Sequence, residues 1–126
     1  MKKEVLPYCR SEGVGILPYF PLAGGFLTGK YRRGQAAPSG SRGENSSYVK
    51  KYMTEANYDR LEKLEAWARE RNRTPGELAH AWLLAKDEVA SVISGATRPE
   101  HVRASAKAFD FEIEPEEVEE LDAILA

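Results

Sequence analysis

Thr97, Arg98 and His101 are the side chains in this sequence best suited to hold an anion. They surround a helix start, where unpaired backbone N–H groups and the positive end of the helix dipole already favour negative charge. Thr97-Arg98-Pro99-Glu100 has the Ser/Thr-x-x-Glu form of a capping box. Pro99 fits the first turn because it has no N–H to leave unpaired. Ahead of it, Val89-Ala90-Ser91-Val92-Ile93 is a short, apolar, β-branched run that reads as a covered strand, and Gly95 marks its turn. Strand, turn and helix together present donors to a phosphate, but the same arrangement also serves as a plain structural unit. Residue types alone leave both readings open. Lys30 is a second candidate cation. It closes the glycine-punctuated stretch Phe20-Pro21-Leu22-Ala23-Gly24-Gly25-Phe26-Leu27-Thr28-Gly29, where backbone can approach a ligand closely. Because Gly29-Lys30 is followed by Tyr31 rather than Ser or Thr, the stretch is not a nucleoside-triphosphate loop.

Other chemistries find less support. Cys9 is the single cysteine, so no internal disulfide forms, and no Cys/His cluster surrounds it; a small buried residue is expected, and no metal site. His80 lies on an apolar helix with no acid or nucleophile beside it in sequence, which suits a hydrogen-bonded structural histidine. With 126 residues, 30% charged residues and a net charge of -2, the chain is sized for one domain and unsuited to polyanions such as nucleic acid. No apolar run approaches the roughly 20 residues of a membrane span, and Met1-Lys2-Lys3-Glu4 is not followed by a signal-peptide core. A cytoplasmic location is expected.

The elements that position these residues follow from periodicity. Glu4 to Glu12 reads as a helix ending at Gly13, a natural left-handed cap. Val14-Gly15-Ile16-Leu17-Pro18-Tyr19 reads as a second buried strand with its proline near the end. Residues 33–47 turn to Gly, Ser, Pro, Ala, Gln and Asn without periodicity, predicting a flexible loop that is either a lid or a disordered insertion. Tyr58, Leu61, Leu64, Trp67 and Ala68 recur at helical spacing and predict one buried face. The cluster Arg69-Glu70-Arg71-Asn72-Arg73 reads as a solvated helix end. Thr74-Pro75-Gly76-Glu77 is another capping box, opening a helix through Leu78, Trp82 and Leu84. A last helix follows Pro115, with Val118, Leu121, Ile124 and Leu125 on one face.

Two segments together carry a family likeness. Tyr19-Phe20-Pro21-Leu22-Ala23-Gly24-Gly25-Phe26-Leu27-Thr28-Gly29-Lys30-Tyr31 resembles the loop after the seventh strand of the aldo-keto reductases, commonly Tyr-Ser-Pro-Leu, a small-residue turn and Thr-Gly-Lys-Tyr. Val92-Ile93-Ser94-Gly95-Ala96-Thr97-Arg98-Pro99-Glu100-His101 resembles the eighth strand and cofactor helix of that family, and Ala108-Phe109-Asp110-Phe111 with the closing helix also fits. The likeness covers nearly the whole chain, which is similar to bacterial members related to potassium-channel β subunits and aryl-alcohol dehydrogenases. It implies an α/β fold: the C-terminal segment of a (β/α)8 barrel, helix-rich with two parallel strands, in an enzyme family that reduces aldehydes and ketones with NADP(H). By the same resemblance Tyr19 stacks on the nicotinamide, Pro21, Leu22, Ala23 and Gly24 line the pyrophosphate path, and Lys30 pairs with a phosphate. Gly95, Thr97, Arg98, His101 and Ser105 then hold the adenosine ribose, its 2′-phosphate and the adenine. Phe20 replaces the usual Ser, and Ala104-Ser105 replaces Glu-Asn. Each hydrogen bond lost that way costs about 1 kcal/mol, or about fivefold in affinity.

The motifs around the family's catalytic Asp, Tyr, Lys and His do not occur in this sequence, so Tyr8, Lys30, His80 and His101 are not placed in those roles. A whole barrel typically needs about 250 residues and eight strands. The expectation is a single partial domain over residues 1–126 that binds NADP(H) and is inactive alone. The alternatives are a non-catalytic nucleotide-binding or scaffold module, self-associating or paired with a chain that supplies the missing strands, and a plain helical structural domain.

Overall fold

The computed structural model describes residues 4–126; Met1, Lys2 and Lys3, part of the leader reading above, lie outside the described residues. Chain order gives α1 (Val5–Glu12), a 3-10 turn (Ala23–Thr28), α2 (Arg42–Asn45), α3 (Ser47–Lys50), α4 (Glu55–Glu70), α5 (Pro75–Leu84), α6 (Pro99–Ala106), a second 3-10 turn (Lys107–Asp110) and α7 (Pro115–Leu125). α1 ends where expected. Gly13 takes the left-handed conformation (φ 64°), and its N–H closes on Arg10 and Cys9 carbonyls.

The two apolar segments lie parallel, as expected, and pair at two positions, Ile16 with Val89 and Tyr19 with Ile93. Backbone bonds from Ile16 N to Glu88 O (2.7 Å), Ala90 N to Ile16 O (3.0 Å) and Ile93 N to Pro18 O (2.9 Å) fix the register. Neither segment extends into a continuous strand. Pro18 has no N–H for a ladder, and among the described residues each segment pairs only with the other, which leaves no wider sheet to flatten them. Leu17 and Ile93 are each 55% exposed, leaving an apolar edge uncovered.

Helix α4 is the spine of the core. Tyr58 and Leu61 pack with Phe26, Tyr31 and Val49. One turn further on, Leu64, Trp67 and Ala68 pack with Leu78 of α5 and Leu121 of α7. All five α4 residues predicted on its inner face are buried. Polar bonds tie α7 to this layer: Trp67 Nε1 donates to Glu120 (3.1 Å), Trp82 Nε1 to Asp122 (3.0 Å) and Arg71 Nε to Glu117 (2.9 Å). The basic run at the end of α4 is thus engaged within the protein, since Arg71 also covers the Trp67 ring and Arg73 donates to Asp110 O. Cys9 is buried, as its isolation suggested.

Two capping boxes form, and a third differs from expectation. Thr74 and Glu77 exchange side-chain and backbone bonds at the start of α5. Glu114 and Glu117 do the same for α7. At α6 the N-cap is Arg98 rather than Thr97, without a side-chain bond. The reason is the proline: the residue before it is driven extended, and Arg98 sits at φ -144°, ψ 152°. Helix begins at Pro99, which leaves Thr97 one residue too early to cap it. Among the described residues no helix is long and apolar enough to cross a membrane.

Candidate functional site

Parallel pairing sends the two motif-bearing loops out from the same end. Tyr19 and Ile93 are paired. The turn starting at Phe20 and the loop starting at Ser94 therefore both leave the ends of adjacent chain segments, the position where barrel and open-sheet proteins gather their ligands.

The first loop is wound tightly. Five of its residues have positive φ: Phe20 (60°), Ala23 (49°), Gly24 (69°), Gly25 (98°) and Gly29 (76°). For Phe20 and Ala23 that conformation costs about 1–2 kcal/mol each, and strain of this kind concentrates where backbone must meet a ligand or a neighbour. Ala23 N bonds Phe20 O (3.0 Å), Gly25 N bonds Leu22 O (2.9 Å) and Thr28 Oγ1 bonds Gly25 O (2.8 Å), so the turn holds itself. Gly24 is buried, and a Cβ there would stand 2.6 Å from Val49 Cγ2. Gly25 carries the cation, because a Cβ on it would meet Lys30 Cε at 2.8 Å and Nζ at 2.9 Å. Lys30 is thus folded back over the turn, with its ammonium also 5.1 Å from the Tyr31 ring centre. Pro21 and Leu22 are half-buried beneath, and Tyr19 stands 72% exposed, free to stack on a planar group. Its ring borders an apolar cleft of about 410 Å³ reached by Leu78, Trp82 and Leu121.

Phe20 has a neighbour that sequence reasoning missed. Its ring meets Tyr48 edge-on (5.2 Å between centres) and lies 5.8 Å from the Arg42 guanidinium. The segment read as a flexible loop supplies Arg42, α2 and the start of α3, and buried Gly43 donates its N–H to Tyr31 Oη at 2.9 Å. No period marks these residues; the signal was only that Tyr48, Val49 and Tyr52 are too apolar for a solvated connection.

In the second loop Gly95, Thr97, Arg98 and His101 are exposed. Thr97 N and Oγ1 both face His101 Nδ1 at 3.4 Å. Arg98 has no acidic partner among the described residues. An unneutralised guanidinium beside a helix start remains available to an anion. Ser105 is half-buried and faces inward, its hydroxyl 3.2 Å from that of Ser94. Ser94 in turn reaches His80, which bonds the Gly76 carbonyl through its other nitrogen. His80 is therefore the hydrogen-bonded residue its setting implied. The structure brings the predicted residues into two groups, the 19–30 turn with its cation and the 95–101 loop with its own, on adjoining chain ends.

The whole chain, residues 1–126, matches the family model described as Aldo/keto reductase family. It is 35% identical over 112 residues to an L-glyceraldehyde 3-phosphate reductase of Escherichia coli, covering 86% of this chain and 32% of that protein. It is 35% identical over 113 residues to a probable voltage-gated potassium channel subunit beta of Arabidopsis thaliana, covering 87% of this chain and 34% of that one. The structure superposes on a glycerol dehydrogenase from Gluconobacter oxydans with a TM-score of 0.80 at 28% identity, over 99% of this chain and 38% of the other. The chain thus spans about a third of the length of the curated relatives it matches. Its fold is the C-terminal segment of a (β/α)8 barrel, helix-rich with two parallel-paired strand positions. With the family model covering every residue and both motif loops at one end, the chain belongs to the aldo/keto reductase family.

Proposed function

We propose that this chain is the NADP(H)-binding part of a cytoplasmic carbonyl reductase, holding the dinucleotide between the 19–30 turn and the 95–105 loop without completing the chemistry. The observation that supports the reading is the parallel pairing of Tyr19 with Ile93, from which both motif-bearing loops leave at one end. On this reading Tyr19 offers its ring to the nicotinamide, and Pro21, Leu22, Ala23 and Gly24 run along the pyrophosphate beside Phe20. Lys30 neutralises a phosphate, and Gly95, Thr97, Arg98, His101 and Ser105 take the adenosine end. Hydride transfer to an aldehyde or ketone also needs a proton for the developing alkoxide, and general-acid catalysis typically contributes about 10²- to 10⁴-fold. The family's acid-base motifs are not in this sequence, so the chain by itself does not turn over.

The cofactor assignment is tested by calorimetric titration with NADP(H) and NAD(H), on the wild type and on Arg98→Ala. Charge-assisted bonds to a 2′-phosphate predict tighter binding of NADP(H), and Arg98→Ala should level the two. Equal affinities in the wild type would remove the assignment. Aldehyde-dependent NADPH oxidation by purified protein would overturn the claim of inactivity.

A second reading concerns assembly. Val14, Leu17 and Ile93 are about half exposed along the uncovered edge of the paired segments. A barrel strand expects neighbours on both sides. This favours a module that self-associates or pairs with a chain supplying further strands. Light scattering over a dilution series tests it, and a monomer at every concentration would count against it.

A further inference from the structure

We propose that Ser94 is a nucleophile, activated by His80, which takes up short acyl groups from activated esters at a pocket away from the 19–30 turn that shares Ser105 with the adenosine end of the dinucleotide site. With a neutral His80, the partners at its two ring nitrogens set the direction of the hydrogen bonds. His80 is buried, 4% exposed, and its Nδ1 lies 2.8 Å from the carbonyl oxygen of Gly76. A carbonyl only accepts, so Nδ1 carries the hydrogen. Nε2 is then a lone-pair acceptor, and the group 2.9 Å from it is the Ser94 hydroxyl. Ser94 therefore donates to His80. Its own oxygen, 3.2 Å from Ser105 Oγ, accepts from Ser105. The result is a one-way relay from Ser105 to Ser94 to His80, closed by Gly76. Nucleophile, base and orienting group stand in the order that hydroxyl nucleophiles use, with a backbone carbonyl in the orienting position.

The surroundings suit acyl transfer. Ser94 directly follows Ile93, at the outgoing end of a paired segment, where side chains of barrel proteins face ligand. Ser94, Ser105 and His80 open onto a pocket of about 270 Å³ walled by Leu84, Val92, Val102 and Phe109. That volume takes a short acyl chain, and its apolar wall disfavours a charged one. The bond between the Ser105 and Ser94 hydroxyls holds Ser94 Oγ in place for attack. In the step itself, Ser94 Oγ bonds the ester carbonyl carbon while its proton passes to His80 Nε2. The bond to the leaving oxygen breaks, and that oxygen takes the proton from His80. Water then adds in the same way, releasing the carboxylic acid and restoring Ser94.

A histidine held only for packing would leave Ser94 as inert as any serine, so covalent labelling separates the two roles. The chain, without dinucleotide, is treated with p-nitrophenyl acetate and with a fluorophosphonate, and adducts are mapped by peptide mass. The expected result is a single serine adduct at Ser94, lost in Ser94→Ala and slowed at least tenfold in His80→Gln. Near-UV signals of Trp67 and Trp82 check that each variant is folded. Ser94→Cys gives an independent measure: its thiol should react with iodoacetamide at least tenfold faster than the same thiol in Ser94→Cys/His80→Gln. No adduct at Ser94 in the wild type would overturn the proposal, as would equal labelling rates with and without His80. The dinucleotide reading stands or falls separately, on titration.

Discussion

Replacing Tyr31 by Phe removes one oxygen from the core and leaves the ring in place. Tyr31 is 2% exposed, and its hydroxyl accepts the N–H of buried Gly43 at 2.9 Å. Without it that N–H has no acceptor, and a buried unsatisfied donor costs about 1–3 kcal/mol. At about 2 kcal/mol the equilibrium between the docked and released segment shifts about 30-fold. Two measurements locate the loss. If residues 42–52 release locally, their amides exchange with deuterium about 30-fold faster while α4 and α5 keep their protection. If the segment is integral to the cooperative core, the urea midpoint falls instead, by about 1 M for an m-value near 2 kcal/mol/M. Gly43→Ala attacks the same joint from the other side, since its Cβ would meet Met53 Cε at 2.7 Å and Tyr31 Cζ at 2.9 Å. Overpacking of this kind costs about 1–3 kcal/mol. If Tyr31→Phe leaves both exchange and midpoint unchanged, the Gly43–Tyr31 bond does not hold the segment, and the tethering argument fails.

Two further outcomes follow from the helix ends. Thr74→Ala should lower unfolding stability by about 1 kcal/mol, because Thr74 shares a capping box with Glu77. Thr97→Ala, placed one residue outside α6, should stay within about 0.5 kcal/mol; equal losses in urea titrations would contradict the assigned caps. The Glu117 carboxyl is held below the usual carboxylate range, chiefly by its hydrogen bond from Arg71; burial opposes this, and the Glu114 N–H and the Arg71 charge add smaller lowering effects. A depressed folded-state pKa gives stability that is present above the unfolded value of about 4.3 and lost as pH falls through the folded one. The gap in urea midpoint between wild type and Glu117→Gln should therefore narrow as pH drops from 7 to 3, and a gap constant across that range would refute the linkage.

The sequence by itself determined the long helices and the family. Tyr58, Leu61, Leu64, Trp67 and Ala68 announced the inner face of α4 because a helix repeats every 3.6 residues and burial selects apolar side chains along one stripe. Thr74 and Glu77 announced their cap because capping is settled within four residues. The family motifs were legible for the same reason, each being one short continuous stretch. Where a local rule failed, a second local rule had won: Thr97 has the right spacing to Glu100, but Pro99 forces Arg98 extended and moves the helix start. Tertiary structure alone decided what lies across distance. Nothing in the spacing of Gly76, His80, Ser94 and Ser105 says that α5, a loop and α6 bring them into one relay. Nor does the polar composition of 33–47 say that Gly43 closes on Tyr31 twelve residues away. Such contacts depend on how helices stack, which is fixed by the shared core of Leu64, Leu78 and Leu121 rather than by any residue's immediate neighbours. The strands fall between the two cases: Val14 to Tyr19 and Val89 to Ile93 were readable as apolar runs, but how far each extends depends on the neighbours beside it, and here the pairing is confined to Ile16 with Val89 and Tyr19 with Ile93.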